Sequence, residues 1–180
     1  ASVITGSDQL SINASIIGDV NVENILAVIA VLQTFDFSRQ QISGVLQTLN
    51  SVPGRLESFT AKNGALFIVD YAHTPDALSK SLRTLKTLCQ GQLVCVFGCG
   101  GDRDKGKRPL MAKAAITYAD SVIVTSDNPR SEDPKEIIND IVVGFSGANH
   151  YERIVDRRAA IKKALLQAKS HDVVLIAGKG

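Results

Sequence analysis

Two stretches of this 180-residue chain carry the residue types that grip small charged molecules. The first runs Gly98-Cys99-Gly100-Gly101-Asp102-Arg103-Asp104-Lys105-Gly106-Lys107-Arg108-Pro109 and sets a dense group of charges behind closely spaced glycines. Glycine admits backbone angles and close approaches denied to other residues, so this loop can fold around a negatively charged group. The second is Asp127-Asn128-Pro129-Arg130. Arg130 offers a fork of donors that matches a carboxylate through two parallel hydrogen bonds, Asp127 accepts from an ammonium, and Asn128 can do both. With Arg103 beside it, this set would recognise ammonium and carboxylate on one carbon, the end of an amino acid. The plain alternatives are a solvated basic loop for the first stretch and an Asx turn with proline for the second. A third pair, Asp70 and His73, could accept from a ribose and contact a nucleotide, or could cap a turn and make a local hydrogen bond.

Other chemistries lack their motifs. Gly98 and Gly100 start a dinucleotide fingerprint, but Arg103 occupies its third glycine position. Neither a P-loop nor a Gly-x-Ser-x-Gly nucleophile elbow occurs. Cys89, Cys95 and Cys99 read as reduced core cysteines, because a lone Cys-x3-Cys pair without a histidine cluster is a poor metal site, and no metal ligands are assigned.

The elements that must hold these loops follow from the apolar pattern. Leu93–Phe97 is a nearly continuous apolar run, as in a parallel strand covered on both faces, and it ends where the glycines begin. Leu66–Val69 is a second such run, ending at Asp70, and Thr74-Pro75-Asp76 then supplies an N-cap, a proline at the first helical position and an acid in the first turn. Helices are expected from Pro75 to Leu88, from Pro109 to Tyr118, from Pro134 to Phe145 and from Arg157 to Lys169. Further strands are expected at 121–125, 153–155 and 172–177. Alternation of this kind gives an α/β fold: a Rossmann-like, mostly parallel sheet with helices on both faces. Its strand ends, including Gly178-Lys179-Gly180, should open on one edge, where such sheets bind ligands. Residues 1–18 suggest two strands or a hairpin, with one segment from Leu10 to Ile17. A helix from Val22 to Thr34 follows, with Asn21 at its cap, and then a helix from Ser38 to Leu49. Asn50 to Gly54 reads as a boundary between domains.

Composition narrows the partners. A formal charge of +2, with bases and acids interspersed, gives no general attraction to nucleic acid. No apolar run approaches the roughly twenty residues of a membrane span, so a cytoplasmic location is expected. Residue 1 is alanine and the chain stops on a glycine-rich strand end, a pattern that suggests a fragment.

Taken together, Val52-Pro53-Gly54-Arg55-Leu56-Glu57, Val69 to Asp76, Phe97 to Pro109, Asp127 to Arg130 and Ala177 to Gly180 resemble the Mur ligases over essentially the whole chain. The resemblance implies that residues 1–52 are the tail of the family's central ATP-binding domain. It also implies that residues 53–180 are the C-terminal amino-acid-binding domain, truncated at its end. It implies an ATP-dependent ligase that uses Mg2+ and joins meso-diaminopimelate to UDP-N-acetylmuramoyl-L-alanyl-D-glutamate through an acyl phosphate, in peptidoglycan synthesis. By the same resemblance Asn24, Arg55, Asp70 and His73 meet ATP, while Arg103, Asp127, Asn128, Pro129, Arg130 and Gly178 meet meso-diaminopimelate. The P-loop and the UDP-substrate site would lie in the missing domains, so no catalytic residue is assigned to this part and turnover by it alone is not expected. A noncatalytic α/β domain binding an amino-acid end is the alternative.

Overall fold

The computed structural model describes residues 2–5, 8–11, 18–49 and 51–179, and the chain divides into two compact units, Ala1–Val52 and Pro53–Gly180. In the first unit, strands Ser2–Thr5 (β1) and Asp8–Ser11 (β2) pair antiparallel, with Ser2 opposite Ser11. The remainder of the segment expected to run to Ile17 lies outside the described residues. Helices Asp19–Thr34 (α1) and Arg39–Gln47 (α2) follow, and Ile25, Ile29, Ile42 and Leu46 form the core between them. The start of α1 corrects the expected cap. Gly18 adopts φ 97°, and the Asn21 amide donates to its carbonyl at 3.0 Å, so Asn21 sits in the first turn rather than before it. α2 starts as expected on Ser38, which forms a capping box with Gln41.

The second unit holds strands Glu57–Thr60 (β3) and Leu66–Asp70 (β4), helix Pro75–Leu88 (α3), strand Leu93–Phe97 (β5) and helix Lys107–Tyr118 (α4). It continues through strand Ser121–Val124 (β6), helix Pro134–Val142 (α5), strand Tyr151–Arg153 (β7), helix Arg157–Gln167 (α6) and strand Val173–Ala177 (β8). The six strands of this sheet lie in the order β3-β4-β8-β5-β6-β7. Every neighbouring pair is parallel except β3 with β4, which makes the mostly parallel α/β sheet that the alternation predicts. The last strand is inserted between β4 and β5, so the chain returns to a place it left open. Register then sets the site. Asp70 pairs with Ala177, Val96 with Ile176, and Phe97 with Val124, which brings four strand ends to one level along one edge.

Two apolar layers hold the sheet. On one face Ala160, Ala164 and Ala168 of the α6 region cover Phe67, Val96, Ile123 and Val174. Small side chains there let the helix lie close. α3 and α4 cover the other face, with Leu78, Leu82, Leu85, Met111, Ala112 and Ala115 all buried, and α5 packs on α4. These stripes recur at three- and four-residue spacing, the signature of a helix with one apolar side.

Several further elements differ from expectation: α5 ends at Val142, where a 3-10 turn Val143–Phe145 takes over, and α6 ends at Gln167 rather than Lys169. β3 was not anticipated: it is a short edge strand, largely exposed, and too brief to show a clear alternation. α4 begins two residues before Pro109, which is tolerated because the first helical amides have no intrahelical acceptor to lose. β7 begins at Tyr151 rather than Arg153, since its pairing with β6 starts from Tyr151 opposite Val122.

Leu82→Ala is expected to lower stability by about 2–5 kcal/mol, the usual cost of emptying a fully buried leucine site. Lys80→Ala, which breaks only an exposed i,i+4 pair with Asp76, should cost about 0.5 kcal/mol or less. Urea unfolding midpoints compare the two, and equal losses would contradict the core assignment.

Candidate functional site

The four aligned strand ends open into a cleft of about 710 Å³. After β4 come Tyr71, His73 and Thr74. After β5 come Gly100, Arg103, Asp104 and Lys107, after β6 come Asp127, Asn128 and Arg130, and after β8 come Gly178 and Lys179. Arg103 and Arg130, from neighbouring strands, thus face one space, together with Asp127. Pro129 lies in the same loop without lining the cleft. Asn24 belongs to the other unit, and Gly180 lies outside the described residues.

Close backbone approach joins the two richest loops. The Gly101 amide donates to the Asn128 carbonyl at 2.9 Å, and a Cβ on Gly101 would collide with the Pro129 carbonyl. Gly98 lies as tightly against the Thr125 carbonyl. Here glycine is required by contact, not by turn geometry. Arg130 donates from Nη1 to the Gly101 carbonyl at 2.7 Å, so its guanidinium is already oriented over the glycine loop.

Beneath these loops lies a charge that sequence reading treated as one of several loop cations. Arg108 is fully buried. Its Nη1 donates to Glu132 Oε2 at 2.9 Å and to Asp140 Oδ2 at 2.8 Å, and its Nη2 donates to Glu132 Oε1 at 2.8 Å. Glu132 Oε1 also accepts from the Asp102 amide at 2.6 Å. In return, Asp102 accepts from Ser131 Oγ at 2.6 Å and from the Ser131 amide at 3.2 Å. The glycine loop and the 127–132 loop are therefore tied together from both sides. Asp102 and Arg130 both hold left-handed backbone angles, φ 51° and 52°, a region uncommon for residues other than glycine. A signal for Arg108 was present in the sequence: it continues the buried stripe Met111, Ala112, Ala115 one turn upstream, and a core position filled by arginine demands an acid. Glu132 carried no comparable signal.

Asp127 lies at the mouth of β6 with its side chain 12% exposed. Lys179 Nζ stands 3.2 Å from its Oδ1, but not in hydrogen-bond geometry, and that oxygen has no hydrogen-bond partner. It is an acceptor ready for a cation. Behind it, Arg157 Nη2 donates to the Ala177 carbonyl at 2.9 Å while Nη1 has no partner. Burial lowers the Arg157 pKa, and the Asp127 charge opposes that shift.

Asp70 and His73 differ in their surroundings. His73 is exposed and lines the cleft, with Nδ1 2.9 Å from the Tyr71 carbonyl, and the Tyr71 ring stands edge-on to it at 4.9 Å. The Arg55 guanidinium lies 4.5 Å above the same Tyr71 ring. Asp70, by contrast, is buried. Its carboxylate accepts from Ser81 Oγ at 2.6 Å and from the Leu56 amide at 3.2 Å, while its carbonyl accepts from the Gly178 amide at 2.9 Å. It sits under the cleft and holds the turn that carries Arg55. The local hydrogen bond weighed for His73 is present, to the Tyr71 carbonyl, although the ring is exposed, whereas the Asp70 carboxylate bonds residues distant in sequence.

Chemically, the cleft offers forks for carboxylates, a carboxylate for an ammonium and additional cations at Lys107 and Lys179. It offers no thiolate, since burial pushes Cys95 up to about 12 and Cys99 up to about 11. Among the described residues no group of three potential metal ligands occurs, and no helix is long and apolar enough to cross a membrane.

The chain is similar to known proteins over nearly its whole length. Residues 54–180 match the family model described as Mur ligase, glutamate ligase domain. The chain is 45% identical over 179 residues to the UDP-N-acetylmuramoyl-L-alanyl-D-glutamate--2,6-diaminopimelate ligase of Bacillus cereus, covering 99% of this chain and 36% of that protein. It is 41% identical over 182 residues to the protein of the same name from Prochlorococcus marinus, covering 98% of this chain and 36% of that one. A solved structure of a ligase with that name superposes with a TM-score of 0.70 at 45% identity, over 99% of this chain and 37% of the other. The chain therefore spans about a third of the length of the curated relatives that it matches.

The electrostatics of the tied loops give a pH dependence. Hydrogen bonds from Arg108, then from the Asp102 amide, hold the Glu132 pKa down to about 2 from an ordinary 4.5. A depressed folded-state value stabilises the fold above the unfolded-state value, and that contribution is lost as pH falls through the folded one. Stability is thus expected to be level with respect to Glu132 above pH 4.5 and to decline between 4.5 and about 2. Urea midpoints across this range should fall less steeply in Glu132→Gln, and an unchanged slope would contradict the assignment.

Proposed function

We propose, for a chain that belongs to the Mur ligase family, that this cleft receives the incoming amino acid of an ATP-dependent amide-forming ligase, and that the amino acid is meso-diaminopimelate. The acceptor would be UDP-N-acetylmuramoyl-L-alanyl-D-glutamate, activated as an acyl phosphate, in a longer ligase of which residues 53–180 form the C-terminal amino-acid-binding domain. Residues 1–52, which include Asn24, would be the tail of its central domain, placing Asn24 against adenine. The unit boundary at Val52 and the start of the family match at residue 54 support that division.

The observation that carries the reading is the meeting of Arg103, Asp127 and Arg130 in one cleft. Asp127, whose Oδ1 accepts no hydrogen bond and stands beside the Lys179 ammonium, fits an ammonium, and each guanidinium fits a carboxylate. Asn128 and the Gly178 backbone complete that wall. Held there by both ends, an amino acid would present its nitrogen in fixed orientation, and orientation is what a bimolecular amide-forming step gains most from. Arg55 and His73, exposed on either side of Tyr71, fit the edge of a bound nucleotide, and Asp70 would act on it only through the turn beneath Arg55. ATP would supply the phosphoryl group. Among the described residues no group of three potential metal ligands occurs, and Mg2+ would be held mainly by the ATP phosphates and the rest of the longer ligase.

Diaminopimelate differs from lysine by a second carboxylate, which an arginine fork selects and which lysine leaves unmatched. Arg130→Ala in the longer ligase should weaken diaminopimelate by at least about tenfold, or 1.4 kcal/mol, and lysine much less. Arg130→Gly should do the same without asking a side chain to hold φ 52°. Calorimetric titration with each amino acid measures this, and equal losses for both would overturn the reading.

A further inference from the structure

Arg103 and Arg130 are exposed side chains on separate loops, and only the bond from Arg130 to the glycine loop is their own contribution to the distance between them. Arg103 makes no hydrogen bond to the 127–132 loop, and Arg130 makes its one bond to the Gly101 carbonyl. Besides the backbone bond from Gly101 to Asn128, side-chain stitches one residue away hold their spacing. Asp102, just before Arg103, and Ser131, just after Arg130, are joined side chain to side chain and side chain to backbone. Glu132 closes the opposite stitch on the Asp102 amide, while its two oxygens rest on the buried Arg108 guanidinium, and Lys105 Nζ stands 3.3 Å from Oε2. Of the two left-handed non-glycine residues at the site, Asp102 is held by these stitches and Arg130 directly precedes them.

We propose that Glu132 is a positioning residue for specificity: supported by Arg108, it locks the 102–105 and 130–132 loops at one separation, so that the forks of Arg103 and Arg130 together fit a ligand bearing two carboxylates. This rests on the reading of the cleft as a diaminopimelate site. Glu132 touches no ligand and acts through the arginines on either side of it. A ligand with one carboxylate is indifferent to the spacing of the forks, whereas a ligand with two is bound by both at once and pays for every error in it. Loosening the clamp should therefore erode discrimination before it erodes binding in general.

The test uses the longer ligase, with dissociation constants for meso-diaminopimelate and lysine measured by calorimetry on wild type, Glu132→Gln, Ser131→Ala, Arg130→Ala and the double variant Glu132→Gln/Arg130→Ala. Glu132→Gln keeps the side-chain shape and removes its charge. It is expected to weaken diaminopimelate by about tenfold and lysine by less than about threefold. Ser131→Ala, which cuts the exposed stitch only, should shift the ratio in the same direction and decides the matter if Glu132→Gln fails to fold. On the Arg130→Ala background, Glu132→Gln should change the ratio no further, which a merely structural role would not produce. An unchanged ratio in a folded Glu132→Gln or Ser131→Ala protein, while Arg130→Ala lowers it, overturns this inference alone. Full additivity in the double variant also overturns it. A ratio that Arg130→Ala leaves unchanged overturns the diaminopimelate reading, and this inference with it.

Discussion

A single buried guanidinium underlies the arrangement of the site. Arg108 would be costly inside the protein without partners, because a charge taken out of water must be matched by opposite charge and hydrogen bonds in good geometry. Glu132 and Asp140 supply both, at 2.8–2.9 Å. Three elements are thereby bound together: α4 through Arg108, the loop after β6 through Glu132, and α5 through Asp140. The charged residues that line the cleft, Arg103 and Arg130, can remain exposed because the charges that hold the loops are beneath them. Arg108 forms its pairs so strongly that its own pKa is raised, first of all by the hydrogen bonds to Glu132.

The sheet contributes the second constraint. Insertion of β8 between β4 and β5 aligns Ala177 with Asp70 on one side and Ile176 with Val96 on the other. Loops that are far apart in sequence therefore leave the sheet at one height, and the crevice forms where the connections diverge to opposite faces. Asp70 links this frame to the cleft wall, since its carboxylate holds the Leu56 amide and its carbonyl holds the Gly178 amide. A residue expected to face a nucleotide is thus a brace between two loops that line or adjoin the cleft.

Much of this could be read from residues alone, for physical reasons. Leu66–Asp70 and Leu93–Phe97 are strands buried on both faces, so their apolar runs were unambiguous, and Thr74-Pro75 announces α3 through a cap that the structure contains. The convergence of Arg103, Asp127 and Arg130 followed from placing each after a parallel strand. What escaped was written in weaker signals. β3 is exposed and four residues long, and gives too little periodicity to detect. Gly18 replaced Asn21 at the start of α1 through a positive φ that no side chain advertises. Glu132 gained its role from a partner 24 residues away, a pairing that local spacing does not encode. Lys107 and Lys179 line the cleft too, and only the fold shows which of several cations face inward.

The central claim is that neighbouring strand ends form one receptor for a zwitterion with a second carboxylate. A crystal structure of the longer ligase with meso-diaminopimelate tests it most directly. The expected result is an ammonium on Asp127 Oδ1, in place of or beside Lys179, and carboxylate oxygens within about 3 Å of the Arg103 and Arg130 guanidinium groups. Diaminopimelate bound elsewhere, or bound here with both guanidinium groups turned away from it, would contradict the account.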